Sequence, residues 1–295
     1  MKKKLVPHVL LIVLLAITLF APRLRPTARE PYSMLAALAL IEFFYLIRGK
    51  KQSHSDIMCF VWLLMIIWIL CTSVFNIAHP VLIPCPENVF DTFREQGRNM
   101  LLNAAYSLEL LGIGFGLGML LSVALGLVVG WFPRLRDFAY PIANVMAPIP
   151  AVVFSPYLVS LMPSFRSASA LVIILGVFWP NFLGTINRVK GMEPRILDSA
   201  RMLNLNSFDM ICHVLLPYVL PGIVSGLKVS VTTAFLMLNF AELMGATHGL
   251  GYYIQNSITY ANYTHAVAGI IAIGIVVTLL NQLVGIVQKK AIVWR

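Results

Sequence analysis

Eight apolar runs separated by polar breaks set the pattern of the chain: residues 5–21, 33–47, 57–78, 104–130, 139–162, 168–186, 214–243 and 266–287. A helix needs about 20 apolar residues to cross about 30 Å of hydrocarbon, and most of these runs reach that length. The first follows Met1-Lys-Lys-Lys but ends in Ala21-Pro22-Arg23 with no small-residue cleavage site, so it reads as a first membrane helix and not as a signal peptide. The second is short, contains Glu42 and ends at Arg48, Lys50 and Lys51. Between the third and fourth runs, HPVLIPCPENVF supplies three prolines and marks a boundary. The expected organisation is therefore an accessory group of transmembrane helices in residues 1–80, an extracytoplasmic linker over 81–103 and a main bundle over 104–295.

Two runs carry special residues. In the fourth, Gly112, Gly114, Gly116 and Gly118 alternate and Gly126-x-x-x-Gly130 follows; the seventh repeats the spacing in Gly222-x-x-x-Gly226. Small residues four apart let helix backbones approach closely in lipid, which makes packing the reading for all of them. The fifth run carries Pro141, Pro148, Pro150 and Pro156. A proline-broken helix frees backbone carbonyls, tolerated at membrane depth only where protein or water covers them, so Pro148 and Pro150 are candidates for lining a pathway. Phe178 and Trp179, mid-way along the sixth run, join them.

The longest polar break, residues 188–217, is far more than a turn requires. Glu193-Pro194 reads as a helix start, proline losing nothing at a first-turn position. Ile196, Leu197, Ala200 and Leu203 form one apolar stripe flanked by Asp198 and Arg201. Asn204 then interrupts it, and Ser207 is placed to cap a second helix with Asp209 in its first turn. The segment is expected to be helix, turn, helix. It serves either as a docking element for a partner or as an amphipathic helix on the lipid surface.

Composition fixes the class: 295 residues, 59% hydrophobic, 12% charged and a mean hydropathy of +0.84 describe an all-α polytopic membrane protein with about eight transmembrane helices. The net charge of +10 would suggest nucleic acid in a soluble chain. Here its placement matters more: with both termini cytoplasmic, 15 of the 22 Lys and Arg fall inside and six outside, leaving Lys228 within a helix. No nucleic-acid partner is implied. The four cysteines make no framework, Cys59 and Cys71 lying roughly 18 Å apart along one helix, and the scattered histidines suggest no metal site.

Four charges sit in or beside apolar runs: Glu42, Glu109, Lys228 and Glu242. Glu109 and Glu242 lie near outer helix ends, where solvation at the interface would hold them. Lys228 is deeper, within snorkelling reach of the inner surface, and is a candidate for the pathway alongside Glu242. Tyr252, Tyr253, Tyr260 and Tyr263 suggest an aromatic belt at the outer interface, or a surface for a binding protein.

Asp198-Ser199-Ala200, three residues, Asn204, nine residues and Val214-Leu-Leu-Pro217 resemble the EAA motif of ABC importer permeases. Asp stands for Glu, Ser for Ala, Asn for Gly and Val for Ile; asparagine is the second residue after glycine for a left-handed bend. The resemblance covers residues 84–295 and narrows to the nitrate, taurine and aliphatic-sulfonate permeases. It rests on Pro84-x-Pro86, Ser107 with Gly114-Phe115, Pro217-x-x-x-Pro221-Gly-Ile, Gly226-Leu-Lys228, Ala241-Glu242, Gly249-Leu-Gly251-Tyr and Trp294-Arg295. Where that group usually carries an arginine after Ser107, this chain has Leu110, with Glu109 beside it.

What the resemblance implies is a type I ABC importer permease core of five helices, preceded here by three more, that forms a homodimer in the cell membrane. A cytoplasmic coupling loop, residues 188–213, would engage an ABC ATPase subunit through Leu197, Asp198, Ser199, Ala200, Arg201, Leu203 and Asn204, with Pro217 closing the motif. An extracytoplasmic solute-binding protein would deliver a small anion. The chain itself contains no G-x-x-x-x-G-K-[ST], Gly49-Lys50 being followed by Lys51, so ATP and Mg would reside on the partner and no cofactor on this chain. A secondary transporter is the alternative, but no repeated halves with mid-membrane ion ligands are evident. A membrane enzyme would need clustered acids, bases or metal ligands.

Overall fold

The computed structural model describes residues 5–25, 27, 31–48 and 52–291. Arg29, Lys50, Lys51, Trp294, Arg295 and the first four residues lie outside them, as do the side chains of Arg48 and Arg201. Every regular element among the described residues is helical: α1 (Val6–Phe20), α2 (Tyr32–Arg48), α3 (Gln52–Ile69), α4 (Pro86–Trp131), α5 (Pro133–Met146), α6 (Ser155–Leu161), α7 (Phe165–Lys190), α8 (Pro194–Met202), the single turn α9 (Ser207–Asp209), α10 (Leu216–Leu243), α11 (Leu250–Thr259) and α12 (Tyr263–Ala291). Among the described residues five continuous helical stretches are long and apolar enough to cross a membrane: Gln52–Val74, Pro86–Trp131, Phe165–Lys190, Ser207–Leu243 and Tyr263–Lys290. A sixth is broken, Pro133–Met146 and Ala151–Leu161 meeting at 84°. The first two apolar runs form shorter apolar helices of 15 and 17 residues. Among the described residues, five apolar spans, the broken pair and two shorter helices thus correspond to the eight runs.

The chain falls into two compact units, residues 1–102 with 253–272, and residues 103–252 with 273–295. In the first unit, α1, α2 and α3 close around Leu14, Met34, Leu38, Trp62 and Ile69. Glu42 is not bare: its Oε1 lies 2.5 Å from Nδ1 of His8. Residues 86–102, expected within a linker, are the first turns of α4. Pro86 starts the helix with its fixed φ, Glu87 supplies negative charge in the first turn, and Val89 and Met100 pack with Tyr253 and Ala268. α4 is consequently 46 residues long, about 69 Å at the helical rise. Tyr253 is buried against His265 rather than exposed in an aromatic belt, and burial pushes its phenol up to about 12; Tyr260 remains exposed.

In the second unit, glycines decide how α4 meets α7. A Cβ on Gly114 would stand 2.8 Å from Ile173 Cβ, on Gly118 3.1 Å from Val177 Cβ, on Gly126 2.7 Å from Thr185 Cβ and on Gly130 2.9 Å from Val189 Cβ. The partners advance in step along both helices, so α4 and α7 run parallel with their backbones almost touching. Packing is therefore the role of Gly114, Gly118, Gly126 and Gly130. Gly112 and Gly116 point to open space, as does Gly226, because two positions along a helix turn the direction by about 200°. Gly222 does pack, under the Arg188 side chain, whose Nη2 donates to its carbonyl at 3.1 Å. Replacing Gly126 by valine is expected to destabilise the purified chain by about 1–3 kcal/mol through overpacking, whereas Gly116→Val leaves its thermal midpoint unchanged. Equal midpoints for the two variants would refute this seam.

α10 returns antiparallel to α7. Met237 fills the space over Gly176, Ser230 Oγ donates to Asn181 Oδ1 at 3.1 Å and Arg188 reaches Gly222, contacts that advance along one helix as they recede along the other. Ile173, Val177, Ala234, Phe235 and Leu238 form the core between them, together with Leu110 of α4. Leu110 thus occupies an apolar position in this chain, in which a cation would be costly.

Candidate functional site

Between α7 and α10 the polar segment folds as expected into helix, bend and helix. α8 begins at Pro194 and ends at Met202; Asn204 then takes the left-handed backbone at φ +49°, the bend its residue type permits. The following turn is capped by Asn206 and not by Ser207. Asn206 is extended, and its Oδ1 accepts from the Asp209 N–H at 2.8 Å, while Ser207 already belongs to the helix. A widened π-type turn over Met210–Leu215 leads into α10, with Pro217 in its first turn.

The apolar stripe of α8 is divided. Ala200 is buried and Leu197 packs half-buried against Val189, Met192, Met210, Leu215 and Val219, so this side is fused to the ends of α7 and α10. Asp198 and Ser199 face outward, as does Leu203. Met202, Leu203 and Phe208 are 87%, 71% and 71% exposed, an apolar tip on a polar element. Met202 and Phe208 were not anticipated; their only signal in the sequence is a large apolar residue on each side of the Asn204 bend.

The pathway candidates separate. Pro148 and Pro150 lie at the break between α5 and α6, both exposed, Pro150 standing just before a short tight turn over Ala151–Phe154. Phe178 and Trp179 are half-buried in an aromatic cluster with Phe182, packed against Ala143 of α5. Lys228 is exposed on α10. Glu109 pairs with Arg166, whose guanidinium lies 5.7 Å from the centre of the Tyr106 ring.

Glu242 corrects the expectation of solvation at the interface. It is 1% exposed and enclosed within the unit. Its Oε1 accepts from Ser107 Oγ at 2.7 Å and its Oε2 from the Gly251 N–H at 2.8 Å. Ser107 Oγ in turn accepts from the Leu250 N–H at 2.9 Å, and Asn103 Oδ1 accepts from the Gly249 N–H at 2.8 Å. Three successive N–H groups at the start of α11 are thus satisfied by side chains of α4 and α10, with a carboxyl where a helix start favours negative charge. Gly249 adopts φ +116°, and a Cβ there would overlap the Glu242 carboxyl group. Ser107, Glu242 and the Gly249–Gly251 pair, separate pieces of the sequence resemblance, are one constellation in space. The role of Asn103 was not visible in the sequence.

These features define a multi-span helical membrane protein with a polar helix–bend–helix between two of its spans. Among the described residues no group of three or more His, Cys, Asp or Glu could hold a metal ion. Residues 100–291 match the family described as binding-protein-dependent transport system inner membrane component, and the chain belongs to that family, one of transport permeases and not of enzymes. It is 27% identical over 222 residues to the putative aliphatic sulfonates transport permease protein SsuC of Bacillus subtilis, covering 75% of this chain and 80% of that one. Over 275 residues it is 26% identical to the nitrate import permease protein NrtB of Leptolyngbya laminosa, covering 91% and 95%. The taurine transport system permease protein TauC of Escherichia coli is 25% identical over 252 residues, covering 83% and 91%. In fold the chain is similar to the inward-facing MetNI methionine ABC transporter, with a TM-score of 0.56 at 16% identity over 67% of this chain and 96% of that one.

Proposed function

We propose that this chain is the membrane-spanning subunit of an ATP-driven importer that carries a small organic or inorganic anion into the cytoplasm. It works as a homodimer with both termini in the cytoplasm. An extracytoplasmic binding protein delivers the solute, and an ATPase subunit carrying ATP and Mg docks on residues 197–206. The observation that carries this reading is the exposed tip of Met202, Leu203 and Phe208 on an element whose other side is fused to α7 and α10. Such a tip fits an apolar groove on a protein, and its attachment passes a push directly to two spans. The anion class is supported by the sulfonate, nitrate and taurine permeases to which the chain is similar, and by Lys228, an exposed cation on a spanning helix.

The test is uptake of labelled taurine, nitrate and an alkanesulfonate into proteoliposomes containing the permease, its ATPase and its binding protein. Uptake of at least one is expected to need both ATP and the binding protein. Uptake driven by an ion gradient without either would replace this reading with a secondary transporter.

A further inference from the structure

The first unit contains a cavity of about 390 Å³ that no part of the transport reading uses. It is lined by Arg25, Asn76, Asn88 and Thr264, with Leu24, Pro80, Pro84 and Cys85 as its apolar walls. Arg25 is only 7% exposed. Its guanidinium donates through Nε to Asn76 Oδ1, through Nη1 to the Ile83 carbonyl at 3.0 Å and through Nη2 to the Ala78 carbonyl. These three contacts use neutral acceptors and leave two of the five N–H groups of the side chain for another partner. Among the described residues no carboxylate pairs with it. Glu87 accepts through Oε2 from Ser73 at 2.8 Å, and its Oε1, buried without a hydrogen bond, lies 4.0 Å from Arg23. Among the described residues this buried cation is balanced only by carbonyl and amide oxygens, which is costly unless an anion joins it.

The rest of the lining carries no charge. Asn88 lies in the first turn of α4 and Thr264 in the first turn of α12, so the starts of two long helices contribute positive dipole ends and a hydroxyl. Asn76 holds a left-handed backbone at φ +51° while its side chain meets Arg25, which fixes the wall. We infer that this cavity is a binding site for a single tetrahedral oxyanion, sulfate-, sulfonate- or phosphate-like, held by Arg25 in a fork and by Thr264. The same chemistry is offered by a free anion and by a phospholipid headgroup.

Arg25 also anchors the 76–83 loop, so the informative variants are at Thr264, whose position in a helix first turn accepts an acidic residue without loss of the helix. Thr264→Glu places a carboxylate in the cavity; Thr264→Gln fills similar space without charge. The full-length permease in phosphatidylcholine nanodiscs is titrated with radiolabelled sulfate, and the delipidated protein is analysed for retained phospholipid by native mass spectrometry. Saturable sulfate binding that weakens at least tenfold in Thr264→Glu and at most about twofold in Thr264→Gln identifies a free-anion site. One tightly held phospholipid, lost in Thr264→Glu and kept in Thr264→Gln, identifies a headgroup site. If neither ligand binds the parent protein, or if Thr264→Glu binds as the parent does, the inference is overturned. Neither result bears on whether transport needs the ATPase.

Discussion

Glu242→Ala is expected to lower the stability of the permease by about 2–5 kcal/mol and to abolish uptake. The carboxyl group is the end of a chain of bonds, from the Leu250 N–H through the Ser107 hydroxyl to Oε1, with the Gly251 N–H on Oε2. Linked hydrogen bonds of this kind strengthen one another in a medium of low dielectric. Removing their common acceptor leaves buried donors unsatisfied and opens a void at the start of α11. Glu242→Gln keeps one accepting oxygen and fills the space, so its loss should be smaller. Gly249→Ala should resemble Glu242→Ala, since it adds a methyl group where the carboxyl lies and imposes a side chain at φ +116°. The measurement is the midpoint of thermal unfolding of the detergent-solubilised chain, with uptake alongside. A Glu242→Ala protein that melts and transports as the parent does would show that the constellation is incidental.

Leu203→Asp is expected to do the opposite: leave the fold intact and cut ATP-dependent uptake at least tenfold. Leu203 is 71% exposed, so the substitution removes little packing, and surface changes usually stay within about 0.5 kcal/mol. In a docked complex the same position is desolvated, and an unpaired carboxylate there opposes association. Stimulation of the partner ATPase by the permease should fall in parallel, whereas Leu203→Met should keep both activities. Full coupling in the aspartate variant would move the docking surface away from this tip.

The two variants divide what the sequence makes legible from what it does not. Periodicity and proline placement foretold α8, the bend at Asn204 and the broken fifth span, because each is a local preference expressed within one or two turns. The glycine seam was half legible: the i, i+4 spacing was plain, but two overlapping sets competed, and only the partner helix selects Gly114 and Gly118 over Gly112 and Gly116. The helical state of residues 86–102 was hidden by the prolines before it and by charges that looked like a linker. Glu242 was least legible. A carboxylate near a helix end has a ready explanation in solvent, and the contrary explanation needs Asn103 and Ser107, more than 130 residues away along the chain.

The close approach of α4 and α7 also decides the crossing parity of the segment between them. Gly114 faces Ile173 and Gly130 faces Val189, so Phe165 at the start of α7 stands level with residue 106, while α4 has already run on to Trp131. The chain must therefore climb back about 37 Å between these points before it can descend again. A hairpin that dips in and leaves on the same side cannot achieve this. The kinked pair α5 and α6 is accordingly a full traverse bent in its course, and the loops on either side of it open to opposite compartments.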